Sequence, residues 1–341
     1  MRKAHAAFQH GSGDGFGRFE GAGPQGAAFP VGREKGLSGH FWRRIAGIMD
    51  KNKATLIGMG AIVLWSTLIG LVRSVSEALG PVGGAAMIYT ASAVLMVATS
   101  GFPKVGSFPR RYLVAGSSLF VLYEVFLSLS VGYADNGRQA IEVAMLNYLW
   151  PSLTVLFAIL FNGQKASLLI VPGLLLSLFG VCWVLGGDNG FHPDEMLLNI
   201  QDNPLSYGLA FSASILWATY CTITVKMSRG HTGVTFFLLL TALALWLKFL
   251  LGENPPMRFD WKVAGYVCMA ALAVGYGYAA WNKGIVHGNT AMLAAASYFT
   301  PVISSAIAAV ILDIPLTVSF WQGAVMVCIG SLMCWVSTRK R

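Results

Sequence analysis

Asn147-Tyr148-Leu149-Trp150-Pro151 lies in the middle of an apolar run from Arg138 to Phe161, and 150 residues later Ser297-Tyr298-Phe299-Thr300-Pro301 lies in the middle of another, from Asn289 to Leu312. Each run suits a helix crossing about 30 Å of hydrocarbon, and each carries a proline near its centre. Proline has no N–H to give the carbonyl four residues back, so the carbonyls of Asn147 and Ser297 lose their helical donors. In hydrocarbon such a group needs another partner, and a break of this kind persists where protein or water supplies one. Two breaks at corresponding depth, both beside polar side chains, point to a lined cavity rather than to unrelated packing kinks.

Outward from these two runs the whole chain has the same character. It is 55% hydrophobic and only 11% charged over 341 residues, whereas soluble domains carry about 25% charged residues. Apolar windows predict spans at 54–72, 81–100, 112–131, 138–161 and 168–185, and, after a polar stretch at 186–205, at 206–225, 232–251, 263–282, 289–312 and 319–338. The expected fold is therefore an all-α membrane protein of ten transmembrane helices.

Two further anchors keep the same order. Leu64-Trp65-Ser66-Thr67 matches Leu216-Trp217-Ala218-Thr219 at an offset of 152, and Gly173 with Gly180 matches Gly323 with Gly330 at 150. The chain is thus expected to hold two five-helix repeats, 54–185 and 206–338, joined by a periplasmic linker at 186–205. Because each repeat has an odd number of crossings, the second runs through the membrane inverted relative to the first.

Basic residues orient this arrangement. With the N-terminus inside, nineteen Lys and Arg fall on inner segments, and four, Arg73, Arg138, Arg258 and Lys262, fall on outer loops. Residues 1–53 and 339–341 are then cytoplasmic, the former a disordered tail with eleven glycines and no apolar run. The net charge of +9 comes from these loops and tails rather than from a basic stripe with aromatics, so no nucleic-acid partner is expected. The five cysteines lie inside apolar spans with no CxxC pair, so neither disulfide nor metal nor any other cofactor is expected.

Candidate site residues gather around the two breaks: Trp65, Tyr89, Tyr123, Asn147, Tyr148, Trp150, Trp217, Tyr220, Tyr276, Tyr278, Trp281, Asn282, Ser297, Tyr298 and Thr300, with Pro151 and Pro301 as the helix breaks. Trp42, Tyr112, Trp261, Trp321 and Trp335 fit an interfacial belt at the membrane surfaces. Tyr148, Trp150 and Tyr298 are too deep for that, and aromatic faces bearing N–H and O–H groups suit a ligand with an apolar body and a polar head. Glu124 falls halfway along the third span, on one helical stripe with Ser117, Val121 and Ser128. An acid at that depth is expected to face the protein interior or a wet cavity and to be neutral there.

Other chemistries lack their residues. The chain has no G-x-x-x-x-G-K-[ST] phosphate loop, no H-E-x-x-H and no Ser, His and Asp set at one depth, so neither an ATP-driven pump nor an intramembrane enzyme is expected. No Lys or Arg lies near the centre of a span, which disfavours sugar phosphates as cargo and favours neutral or zwitterionic solutes.

Longer blocks carry a family resemblance over roughly residues 54–339: 54–58, 64–67, 80–86, 139–143 with 147–154, 170–174 through 183–190, 297–302 and 320–324. Through them the chain resembles the drug/metabolite transporter superfamily, in its ten-helix EamA-type branch, and within that branch the bacterial aromatic amino acid exporters. The resemblance implies a basket-like bundle in the bacterial cytoplasmic membrane with a central cavity between spans three, four, eight and nine. Spans one, two, six and seven would open and close it. It implies secondary, alternating-access export of aromatic and other neutral amino acids, with membrane lipids as surroundings and a monomer as the working unit. A broader drug or organic-cation efflux carrier is the alternative, since aromatic faces also attract cations. A passive channel fits less well, because the chain has no repeated selectivity loop or ring of charges.

Overall fold

The computed structural model describes residues 51–188, 190–228, 233–288 and 290–338. All but the last three residues of the expected N-terminal tail, and the C-terminal 339–341, lie outside them. The described residues form helices α1 Lys51–Ser66, α2 Leu68–Leu79, α3 Pro81–Ser100, α4 Ser117–Gly132, α5 Gly137–Asn147, α6 Trp150–Asn162, α7 Ile170–Leu185, α8 Pro193–Asp202, α9 Pro204–Met227, α10 Val234–Leu251, α11 Trp261–His287, α12 Thr290–Ser297, α13 Thr300–Leu312 and α14 Val318–Ser337. A π-helical turn at Tyr112–Gly116 leads into α4.

Seven helical spans among the described residues are long and apolar enough to cross a membrane: Asn52–Leu79, Pro81–Ser100, Tyr112–Gly132, Gly137–Asn162, Val234–Leu251, Trp261–Trp281 and Val318–Ser337. Ile170–Leu185 and Thr300–Leu312 are shorter apolar helices. Large side chains such as Leu160, Phe161, Leu175, Leu250 and Val310 point outward from the bundle, as they do where the solvent is lipid. This is an all-helical membrane architecture.

Several boundaries differ from the sequence expectation for identifiable reasons. The first span continues to Leu79 because only Thr67 interrupts it, its hydroxyl donating to the Leu64 carbonyl at 2.7 Å. Arg73 therefore sits inside α2, not in a loop. Gly80, at φ +75°, allows the immediate reversal into α3, whose first residue is Pro81, where a missing N–H costs nothing. The 186–205 linker is not irregular throughout; it contains α8, opened by Pro193 with Asp194 and Glu195 in the first turn. The eighth span extends over Trp261–His287, capped by Asp260, whose carboxylate accepts from the Val263 N–H at 2.7 Å. Tyr112 and Trp335 are not belt residues. Tyr112 is buried, accepting a hydrogen bond from the Gly233 N–H at 3.1 Å, and Trp335 is buried against Tyr298.

The packing has an exchange pattern. α7 packs on α14 and α3 on α10; α1 packs on α11 as α4 packs on α9; α3 meets α11 as α10 meets α4. Swapping each helix for its counterpart in the other half of the chain leaves this set unchanged. Glycines make the α7–α14 crossing close: a Cβ on Gly180 would lie 2.7 Å from the Gly323 carbonyl oxygen, and one on Gly330 would lie 2.6 Å from that of Gly173. Small residues let transmembrane backbones approach in this way. The hydroxyls of Ser152, Ser177 and Ser331 join across the same contact at 2.9 to 3.5 Å.

Candidate substrate cavity

Both proline-centred runs are broken helices. α5 ends at Asn147, Tyr148 and Leu149 form a turn, and α6 restarts at Trp150 with Pro151 second; α12 ends at Ser297 and α13 restarts at Thr300 with Pro301 second. The two breaks treat their carbonyls differently. Thr300 donates its hydroxyl to the Ser297 carbonyl at 2.6 Å, so that group already has a partner, contrary to the expectation of two freed acceptors. Trp150 stands where Thr300 does and has no hydroxyl to return such a bond to Asn147.

A cavity of about 100 Å³ lies against the first break, enough for several waters. Asn147, Tyr148, Trp150, Thr300, Tyr123, Glu124, Trp65 and Trp217, all named from the sequence, line it. So do Tyr89, Tyr278 and Ser128, with aliphatic surface from Leu68, Ile69, Val72, Ile88, Leu127, Val131 and Val274. The α2 and α4 residues of this lining come from the half of each span that leads to Leu79 and Gly132, so the cavity reaches from the break toward that end of the bundle.

Some candidates lie elsewhere. Tyr298 packs against Trp335 and Leu332, with its buried hydroxyl unpartnered. Trp281 packs behind Trp65, ring centroids 5.5 Å apart, in a cluster with Ala61, Ile62 and Leu293. Tyr276 is on the exposed side of α11, while Tyr278, two residues and about 200° further round the helix, faces the cavity. Ser297 contributes through its carbonyl to the α12–α13 turn, and Pro151 and Pro301 shape the breaks without lining the cavity. The side chain of Asn282 is outside the described set.

Glu124 is the polar centre. The Tyr89 hydroxyl donates to its Oε2 at 2.5 Å and the Tyr278 hydroxyl to its Oε1 at 2.6 Å. Ser128 Oγ, one turn along α4, bonds the Tyr89 hydroxyl at 3.0 Å. Three helices, α3, α4 and α11, are thereby tied at one carboxyl group. Asn147 is buried nearby with its Oδ1 lacking a hydrogen-bond partner. No Lys, Arg or His is among the described residues that line the cavity.

Beyond the cavity an aromatic column runs to the Tyr112 end of the bundle. Trp217 lies 4.4 Å from Tyr123 and stacks on Tyr220 at 5.0 Å; Phe120 touches Trp217, Tyr220, Tyr278 and Phe237; Phe237 lies 5.5 Å from Tyr112. The opposite end holds a second, polar cavity of about 360 Å³ lined by Glu77, Gly137, Lys262, Tyr266 and Ile311, among others.

Comparison with known proteins follows the same line. The EamA-like transporter family matches residues 204–336. The protein named aromatic amino acid exporter YddG from Salmonella typhimurium (strain 14028s / SGSC 2262) is 61% identical over 293 residues, 86% of this chain and 100% of that protein. Its namesake from Escherichia coli (strain K12) is 60% identical over 292 residues, 86% and 100% of the two chains, and that from Ancylobacter novellus is 29% identical over 267 residues, 75% and 88%. A solved crystal structure 25% identical in sequence superposes with a TM-score of 0.62, covering 84% of this chain and 98% of that one.

Proposed function

Because this chain belongs to the EamA-like transporter family, within the drug/metabolite transporter superfamily, we propose that it exports amino acids with aromatic and other neutral side chains across the bacterial inner membrane. The observation that carries this reading is the cavity at the first helix break. It offers an aromatic wall for an apolar side chain beside a polar cluster for a charged head group, and the relatives named for aromatic amino acid export are similar over their full length.

Transport proceeds by alternating access, with ten crossings, two inverted five-helix repeats at 54–185 and 206–338, and both termini in the cytoplasm. The exchange pattern of helix contacts and the division of basic residues support that arrangement. In it the cavity leads toward the periplasm and the aromatic column closes the cytoplasmic side, an outward-facing disposition. The unit of transport is a monomer, since the cavity is lined within one chain.

Tyr148 and Trp150 hold the side chain of the cargo, while Asn147, Thr300 and Glu124 meet its head group. Losing one aromatic contact costs about 0.5 to 1.5 kcal/mol beyond area burial. Trp150→Ala is therefore expected to weaken the apparent affinity for phenylalanine several-fold in proteoliposome counterflow, and Asn147→Ala to weaken phenylalanine, threonine and methionine alike. Wild-type proteoliposomes that show no saturable phenylalanine counterflow would refute the reading.

A further inference from the structure

We infer that Glu124, held by Tyr89 and Tyr278 and neighbouring Asn147, is an anionic receptor for a primary ammonium group, so that the cargo is selected first as a cationic amine and only then by its side chain. The inference rests on the transport reading above and assigns the chemistry of its site.

Acceptors and donors at the cavity support it. Each Glu124 oxygen accepts one phenolic hydrogen bond, and a carboxylate has about four acceptor positions, so two remain. Both tyrosines act as donors to it, which is the pattern an ionised carboxylate attracts. Asn147 Oδ1, buried and without a donor, lies on a residue lining the same cavity. An ammonium has three N–H donors and no acceptor, which matches this surplus of acceptors. The Ser297 carbonyl already accepts from Thr300, and Ser297 is not among the residues that line the cavity.

Charge points the same way. A buried carboxylate is strongly disfavoured without a counter-ion. The titratable groups around Glu124 are Tyr89 on α3, Tyr123 on its own helix, Tyr148 at the break, Tyr220 on α9 and Tyr278 on α11, none of them cationic, and no basic side chain is among the described cavity residues. With no cation among the described residues of the cavity, the counter-charge is a bound proton in the empty site or the ammonium of the cargo. One carboxylate thus takes either a proton or an amine, and the two compete.

The test is counterflow of radiolabelled phenylalanine into proteoliposomes of the full chain, with three competitors. Phenethylamine keeps the ammonium and lacks the carboxylate; 3-phenylpropionate keeps the carboxylate and lacks the ammonium; N-acetylphenylalanine masks the amine. Phenethylamine is expected to compete at least tenfold better than either of the others, and wild-type apparent affinity to weaken as pH falls. Glu124→Gln is expected to remove the preference for phenethylamine and flatten the pH profile, whereas Tyr276→Phe, on the exposed side of α11 and away from the cavity, keeps both.

Inhibition by phenylpropionate equal to that by phenethylamine in the wild type overturns the inference without any variant. So does a correctly inserted Glu124→Gln that retains the amine preference. Saturable phenethylamine counterflow without phenylalanine counterflow supports the ammonium site and overturns the amino acid reading.

Discussion

At its Tyr112 end the bundle is closed by rings, and at its Arg73 end it is tied by charges. Tyr112, in the π-helical turn before α4, and Phe120 and Tyr123 on α4 join Trp217, Tyr220 and Phe237 in a column without ion pairs among the described residues. At the other end Arg73 bonds Glu77 at 2.9 Å and the carbonyls of Ala134 and Asp135, while Arg138 bridges Glu142 at 3.0 Å and Asp188 beside it. The main pairings recur on exchange, but α2 and α3, and α3 and α4, pack on one another while their counterparts α9 and α10, and α10 and α11, do not pack comparably among the described residues, so the two ends differ in helix packing as well as in side chains. At the 150-residue offset Phe120 corresponds to Ala270, Tyr123 to Ala273 and Tyr112 to Lys262. Within the proposed inverted repeat, aromatic rings close one end without ions, and ion pairs tie the helix ends around the mouth at the other. The two ends should respond to different perturbations, packing at one and salt or pH at the other.

The largest effect is expected at Phe120, which is fully buried and touches four other aromatic rings. Truncating a buried phenylalanine to alanine costs about 3 to 5 kcal/mol in a well-packed site. Phe120→Ala should open the column, and Cys221, buried next to Tyr220, reports on it directly. Alkylation of Cys221 by a permeant maleimide, followed by mass spectrometry with exposed Cys268 as internal reference, should rise at least tenfold in the variant. Unchanged protection of Cys221 would mean that the column is not the seal and that the two ends close alike.

This contrast was only half legible in the sequence. The apolar runs and the paired prolines were enough to expect a helical membrane bundle with broken helices, because length in hydrocarbon and the missing proline N–H act locally. Glu124 and most of the lining around Asn147 and Trp150 were named for the same reason. Which of two nearby aromatics faces inward was harder: Tyr276 and Tyr278 differ by helix phase, and a span apolar on every side gives no moment from which to read it. Tyr112 and Trp335 looked interfacial because they lie at span ends, and only tertiary contacts with Gly233 and Tyr298 bury them. The answer of Thr300 to the Ser297 carbonyl, absent at Trp150, is a difference between two motifs that share only their Tyr and Pro, and the shared proline alone does not reveal it.

At the opposite end Arg73 tests how much the ionic ties contribute. Its side chain is mostly buried, and its guanidinium satisfies carbonyls in the turn between α4 and α5 as well as Glu77. Arg73→Met keeps the length and removes every one of those bonds, leaving buried acceptors unmatched at about 1 to 3 kcal/mol. Thermal unfolding of the detergent-solubilised protein should fall by a few degrees, less than for Phe120→Ala, with Cys221 protection unaltered. A rise in Cys221 reactivity would show that the two ends are coupled rather than independent.

The smallest effect belongs to the Arg138–Asp188 contact, which ties the start of α5 to the loop after α7. Asp188 is exposed, and the guanidinium beside it holds its carboxyl below the usual carboxylate range, mainly through their hydrogen bond. A carboxyl whose folded-state pKa is depressed contributes stability that is complete above its unfolded value and is lost as pH falls through the folded value. The tether is therefore intact at neutral pH and releases on acidification, and screening by salt weakens it at any pH. Exposed pairs of this kind contribute about 0.2 to 1 kcal/mol. Asp188→Asn should accordingly lower the unfolding temperature slightly at neutral pH and low salt, and the difference from wild type should vanish both in acid and at high salt. Phe120→Ala should show neither dependence. A salt-independent loss in Asp188→Asn would instead assign Asp188 a packing role and erase the distinction between an ionic end and an aromatic one.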